Sequence, residues 1–262
     1  MNILDTIIAH KRIEVAQRKQ QTSIAELEKG PFFANETSSL KKYLLKGTKT
    51  GIIAEFKRKS PSKGIINDKV TVEEVTTAYT KFGASGISIL TDKEFFGGSL
   101  DDLLAATINP VPLLRKDFII DEYQIIEGKA YGAEVILLIA ACLSKTEVKQ
   151  LATVAKNIGL DVLLEVHNEQ ELEHICDEID MVGVNNRNLK TFEVSIDTSL
   201  QLINKIPTDK VAIAESGIDN VETIVTLKRA GFKGFLIGEH FMKNENPGLA
   251  FENFVNDLSQ RV

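Results

Sequence analysis

Eight short apolar runs, rich in Val, Ile and Leu, recur along the chain at nearly constant spacing, and this constrains the fold more than any other feature. They occupy residues 51–57, 86–91, 111–116, 134–139, 161–166, 181–185, 211–215 and 234–238. Seven intervals separate the first start from the last, averaging about 26 residues each. That is too long for hairpins and right for a strand, a helix and two loops. Between the runs, apolar residues fall at three- and four-residue spacing and predict helices over 72–82, 121–131, 145–158, 169–178 and 221–230. Gly83, Gly132, Gly159 and Gly231 stand as helix stops. Strands that are apolar almost throughout imply a parallel sheet covered on both faces. Eight β/α units close a (β/α)8 TIM barrel. An open doubly wound sheet is the alternative, but no Gly-x-Gly-x-x-Gly turn follows the first strand.

Residues 1–48 stand outside the repeat, and we expect an N-terminal helical extension there, followed by a single barrel domain over 49–262. Helical patterns over 3–20, 23–29 and 38–45 read as a cap on the bottom of the barrel, with closure over the substrate as the alternative role. The chain has 31 Lys and Arg against 37 Asp and Glu, a net charge of −6. An acidic surface argues against non-specific nucleic-acid binding, which rests on clustered positive charge. The longest uncharged apolar run, 135–143, is far short of a membrane span, and the N-terminus has no signal-peptide pattern. The expectation is a soluble, cytoplasmic protein. Two cysteines, Cys142 and Cys176, offer neither a disulfide framework nor a thiolate metal site.

The ends of the strands carry the chemistry. Alternate residues of a barrel strand point inward, where Val, Ile and Leu are usual. Here Glu55 and Lys57 share parity with Ile53, Lys116 with Leu114, Glu165 with Leu163, Arg187 with Asn185, and Glu215 with Ile213. All sit at C-terminal strand ends, where barrel enzymes place their active sites. One unpaired buried charge costs several kcal/mol, so charges from five strands in one mouth require mutual partners or a ligand. This set supplies acids, bases and anion anchors, without a nucleophilic triad. His167 and His240 lack metal-ligand company and read as exposed or structural; no metal and no cofactor is expected. Ser216-Gly217 and Gly238-Glu239, after the seventh and eighth strands, leave room for a backbone to approach a phosphate.

Six stretches resemble the indole-3-glycerol phosphate synthase family: Ile53-Ala-Glu-Phe-Lys-Arg-Lys-Ser-Pro-Ser-Lys-Gly64, Leu114-Arg-Lys-Asp-Phe118, Leu164-Glu-Val-His-Asn168, Val184-Asn-Asn-Arg-Asn-Leu189, Ala214-Glu-Ser-Gly217 and Phe235-Leu-Ile-Gly-Glu239. They run in order over nearly the whole chain. The resemblance implies closure, decarboxylation and dehydration of 1-(2-carboxyphenylamino)-1-deoxyribulose 5-phosphate. Lys116 matches the general acid of ring closure. Glu165 and Lys57 share the later stage, with Glu55 orienting Lys116 or accepting a proton, and Asn185 in the catalytic network. By the same resemblance, Ser60, Gly217 and Gly238 hold the phosphate, and Arg187, Glu215 and Ser216 surround the sugar. Phe118 and Leu137 form an apolar wall, Pro61 shapes the first loop, and Leu236 and Glu239 complete the substrate site. Glu239 stands where some members carry Ser. The loop over 58–67 reads as a lid that orders over substrate. The only implied partner is the small phosphorylated substrate, and the chain is expected to be a monomer, with a homodimer as the alternative.

Rival readings are phosphoribosylanthranilate isomerase, a Schiff-base aldolase built on Lys116, and a non-catalytic phosphate-sensing barrel. The isomerase carries a Cys after its first strand, where this chain has Glu55-Phe-Lys57.

Overall fold

A computed structural model describes residues 3–188 and 192–261. Leu189, the last residue of the Val184-to-Leu189 stretch, lies outside the described residues. The eight predicted strands are β1 (Ile52–Phe56), β2 (Gly86–Leu90), β3 (Leu113–Lys116), β4 (Val135–Ile139), β5 (Asp161–Val166), β6 (Met181–Asn185), β7 (Val211–Glu215) and β8 (Gly234–Ile237). They pair in parallel in chain order, and β1 pairs with β8 to close the barrel. Strand parity sorts the side chains. Ile53, Leu114, Leu137, Leu163, Met181, Ile213 and Leu236 form one cluster inside the barrel. Their neighbours of opposite parity, such as Ile52, Ile136, Val162 and Val182, join the larger shell beneath the helices.

Four predicted helices form as expected, Val72–Lys81, Glu122–Ala130, Lys145–Asn157 and Val221–Ala230, each with an oxygen-bearing N-cap: Thr71, Asp121, Ser144 and Asn220. The helix expected over 169–178 does not form; only a 3-10 turn over Gln170–His174 is present. There the Glu171 carboxylate turns back to accept the His167 backbone N–H at 2.8 Å and the Asn168 amide at 2.7 Å, a local network that competes with helix propagation. Four short helices, Lys93–Phe96, Leu100–Ala106, Asp197–Leu202 and Glu239–Met242, carry no periodicity signal. The first two are separated by Gly97-Gly98 and capped by Asp92 and Ser99, so the caps are their sequence signal.

The N-terminal segment serves both ends of the barrel. Leu40 and Leu44, on the helix Leu40–Lys46, complete the inner cluster from below. A Cβ on Gly234, the first residue of β8, would sit 3.2 Å from Leu44 Cδ1, so this strand start stays small to admit the plug. The first helix, α1 (Ile3–Gln21), lies elsewhere, and its first two turns reach the C-terminal mouth. It is tied down by Lys11, which is 0% exposed and pairs with Asp92 at 2.9 Å and Asp117 at 3.0 Å. Asp117 also accepts from Arg115 at 3.0 Å, and Arg115 contacts Glu127, which in turn meets Arg18 of α1. Among the described residues, no helix is long and apolar enough to cross a membrane.

Candidate active site

Charged residues from five strand ends converge on one cavity of about 510 Å³ at the C-terminal mouth, a size suited to a small organic ligand. Glu55 from β1 meets Lys57 at 2.7 Å. Lys116, the last residue of β3, lies 3.4 Å from Glu165 of β5 and 3.9 Å from Glu215 of β7. Arg187, two residues past β6, lies 3.6 Å from Glu239. Asn185 accepts the Arg187 backbone N–H at 3.0 Å and also bonds the Glu165 carboxylate, so it fixes both the loop after β6 and the acid. Two glycines make room for the carboxylates. A Cβ on Gly183 would strike the Glu215 carboxylate, and one on Gly238 would stand 2.9 Å from Glu55 Cβ. Glu215 therefore leans across β6 toward Glu165, and Glu55 leans over the start of the loop after β8.

These charges set one another's protonation. Burial alone would lower the Lys116 pKa, but Glu165, Glu215 and Glu55 raise it above the ordinary lysine value, so the group is an ammonium at any working pH. Burial opposes ionisation of Glu165, and Lys116 and His167 reverse this, holding it well below the usual carboxylate range. Glu215 goes the other way: burial and the Glu165 charge push it up to about 8. The pair thus divides into one carboxylate and one carboxylic acid at neutral pH, as like charges in one site must.

A stability prediction follows with a definite sign. The folded-state pKa of Glu215 lies above its ordinary 4.5, so the stability it contributes is complete below about pH 4.5 and is lost as pH rises through about 8. Glu215→Gln removes that slope. Thermal melts at pH 5 and pH 8.5 should show the variant gaining on the wild type at the higher pH; a pH-independent difference would contradict this protonation state.

Every residue that the sequence reading assigns to the site lines this cavity except Leu137. Leu137 is 1% exposed and packs in the inner cluster one layer below; Ile139, two residues further along β4, takes the wall position. The period of two turns both residues inward, and only the later one clears the packed layer. Phe118 faces the cavity beside Phe96, ring centroids 6.1 Å apart, and Ile3, Leu4 and Ile7 of α1 complete an apolar side. None of these four partners was foreseen. Ser216 and Gly217 both take positive φ, 66° and 72°, a left-handed turn that suits Gly217 and is uncommon for Ser216. Asn186, also missed, braces this turn by donating to the Ser216 carbonyl at 3.1 Å while accepting from Ser199 at 2.8 Å. The loop over 58–67 is tied at both ends: Arg58 grips Asp102 at 2.5 and 2.9 Å, and Asn67 donates to the Met242 and Asn244 carbonyls. Its Ser60 and Pro61 border the cavity, and Lys63 lies 3.9 Å from Glu239. His167, read as exposed or structural, is nearly buried beside Glu165.

The arrangement holds a fixed ammonium between a carboxylate and a carboxylic acid, with an apolar wall on one side and glycine-lined loops on the other. It can protonate a developing alkoxide and accept a proton within one cavity.

Known proteins resemble this chain over nearly its whole length. The family model described as indole-3-glycerol phosphate synthase matches residues 4–254. A protein of that name from Bacteroides thetaiotaomicron is 48% identical over 258 residues, covering 98% of this chain and 99% of its own. One from Salinibacter ruber is 42% identical over 253 residues, 95% and 94% of the two chains. Among solved structures, 3-hexulose-6-phosphate synthase from Salmonella typhimurium superposes with a TM-score of 0.63 at 13% identity, covering 80% of this chain and 99% of the other. A tryptophan synthase complex from Pyrococcus furiosus gives 0.61 at 16% identity, with 81% and 99% covered. At these identities the structural likeness speaks for the barrel alone.

Proposed function

The chain belongs to the indole-3-glycerol phosphate synthase family, and from that premise we propose how its residues divide the work of the family reaction. As a carboxy-lyase it converts 1-(2-carboxyphenylamino)-1-deoxyribulose 5-phosphate to indole-3-glycerol phosphate, CO2 and water. The ring carbon bearing the carboxylate attacks the ketone carbon, and the ketone oxygen takes a proton. Loss of CO2 returns the bonding pair to the ring. The new hydroxyl then leaves as water, with one proton donated to it and one removed from the ring system.

Lys116 is the acid of the first stage. An alkoxide is far more basic than an ammonium, so the transfer runs downhill even though the acidic groups around Lys116 hold its proton tightly. Before transfer, its charge stabilises the oxygen as negative charge develops there. Glu165 serves as base in dehydration, being ionised and within 3.4 Å of Lys116. Lys57, paired with Glu55 on the opposite side of the mouth, attracts the substrate carboxylate and assists the departing hydroxyl. Asn185, Arg187, Glu215 and Ser216 engage the sugar hydroxyls and the catalytic groups. Ser60, Gly217 and Gly238, with the Glu239 backbone, receive the phosphate. Phe118, Pro61 and Leu236 shape the apolar side for the aromatic ring. The extension over 1–48 and the barrel over 49–262 form one catalytic unit, acting as a monomer in the cytoplasm.

The observation that carries this reading is the placement of Lys116 between Glu165 and Glu215 at 3.4 and 3.9 Å, which keeps it a charged proton donor and a poor nucleophile. Borohydride added during turnover tests it. Unchanged protein mass and activity are expected; a reduced adduct on Lys116 would mean imine chemistry and would overturn the acid role.

A further inference from the structure

His167 takes no part in the steps above, yet its ring lies between two carboxylates. It follows Glu165 by two residues at the end of β5, so the two side chains leave the strand on the same side. His167 Nε2 is 3.3 Å from Glu165 Oε1, and Nδ1 is 3.2 Å from Glu171 Oε2. Glu171 is itself fixed: its Oε2 accepts the His167 backbone N–H at 2.8 Å, its Oε1 accepts from the Asn168 amide at 2.7 Å, and its own N–H donates to Asn168 Oδ1 at 3.1 Å. The side chain of His167 is 10% exposed, so water contributes little to its electrostatics. On the far side of Glu165, the other oxygen, Oε2, is the one that faces Lys116 at 3.4 Å.

Each oxygen of Glu165 therefore faces its own nitrogen, Oε2 that of Lys116 and Oε1 that of His167, the latter at an ion-pair distance outside hydrogen-bond geometry. A neutral imidazole would turn a lone pair toward one of the two carboxylates, whereas an imidazolium turns a positive N–H toward each. We infer that Glu171 and His167 are positioning residues for Glu165, a clamped imidazolium that fixes the carboxylate toward Lys116 and keeps it ionised until it takes its proton in dehydration. This rests on the reading of Glu165 as the base. Burial alone would discharge the ring, but Glu165 and Glu171 push its pKa up to about 10, so the charge persists across the neutral range. Cys142, which feels both carboxylates, has its thiol pushed up to about 12, chiefly by burial, and stays neutral there. The Asn168-Glu171 brace also accounts for the 3-10 turn standing where a helix was expected.

The test combines a kinetic cycle with a spectroscopic reading. His167→Asn and Glu171→Gln should each lower kcat by roughly ten- to a hundredfold, the cost of a catalytic group held slightly out of place, while KM moves by less than about twofold. In a Glu165→Gln background the same changes should cost nothing further, because their effect acts through the missing carboxylate. In the wild type, 15N NMR of the imidazole at pH 8 should show His167 protonated at both nitrogens, a reading that needs no variant to fold. Full-rate single variants beside a dead Glu165→Gln would overturn the proposal alone, as would an undiminished fall in the Glu165→Gln background or a neutral His167 at pH 8. A Glu165→Gln enzyme at nearly wild-type rate would instead remove the reading on which the proposal rests.

Discussion

Lys116→Met should abolish most of the turnover, lowering kcat by about 10²–10⁴-fold, the usual contribution of a positioned general acid. Methionine matches the length of the lysine stem but brings neither proton nor charge. The loss should fall on kcat more than on KM, because the ammonium acts on an oxygen that becomes basic only as the ring closes. Protonation of the neighbours should shift as well. Glu165 loses the cation 3.4 Å away and keeps His167, and Glu215 loses the cation 3.9 Å away, so the two carboxylates compete more strongly for protons. Single-turnover kinetics with the substrate check the prediction. A fall below about tenfold would move the acid role to another residue, with Lys57 first in line.

Lys11→Met should be the most destabilising single change outside the cavity, costing about 3–5 kcal/mol, the range for removing one partner of a buried ion pair. Lys11 is 0% exposed and its ammonium lies within 3.0 Å of Asp92, Asp117 and Glu14. Those carboxylates hold the Lys11 pKa up against the effect of burial, and Lys11 together with Arg115 holds Asp117 well down. Arg115 and Thr91 still contact Asp117 in the variant, but Asp92 loses its cation while remaining fully buried. Against a total stability of about 5–15 kcal/mol, such a loss is visible in a urea titration as a lower midpoint. Ile3, Leu4 and Ile7 ride on the same helix and line the cavity, so KM should rise in parallel. A midpoint within the error of the wild type would mean that α1 is held by its apolar contacts alone.

The barrel was legible because its signal is repetitive and physical. Eight apolar runs at constant spacing allow few folds, and the parity of Glu55, Lys57, Lys116, Glu165, Arg187 and Glu215 with inward-facing neighbours puts charges from five strands in one mouth. Three kinds of feature were not legible. Leu137 and Ile139 share parity, and which of them clears the packed layer depends on the height of the barrel rim, which a strand pattern does not encode. The helix expected over 169–178 had the right periodicity but lost to side-chain bonds from Glu171 that periodicity ignores. Long-range partners were out of reach entirely. Nothing local to Lys11 announces that Asp92 and Asp117 await it, and nothing local to His167 announces that Glu165 and Glu171 flank it in space. Gly183 was a missed signal of another kind: a glycine inside an otherwise apolar strand marks close approach, here by Glu215.

The central claim is that this chain closes the indole ring, releases CO2 and expels water in a single site. The most direct test incubates the purified protein with 1-(2-carboxyphenylamino)-1-deoxyribulose 5-phosphate, follows the rise of indole fluorescence, and measures CO2 in the same reaction. The account predicts indole-3-glycerol phosphate and CO2 in equal amounts without any added cofactor. Tight binding of the substrate with neither product formed would contradict it, leaving a phosphate-binding barrel that performs no chemistry.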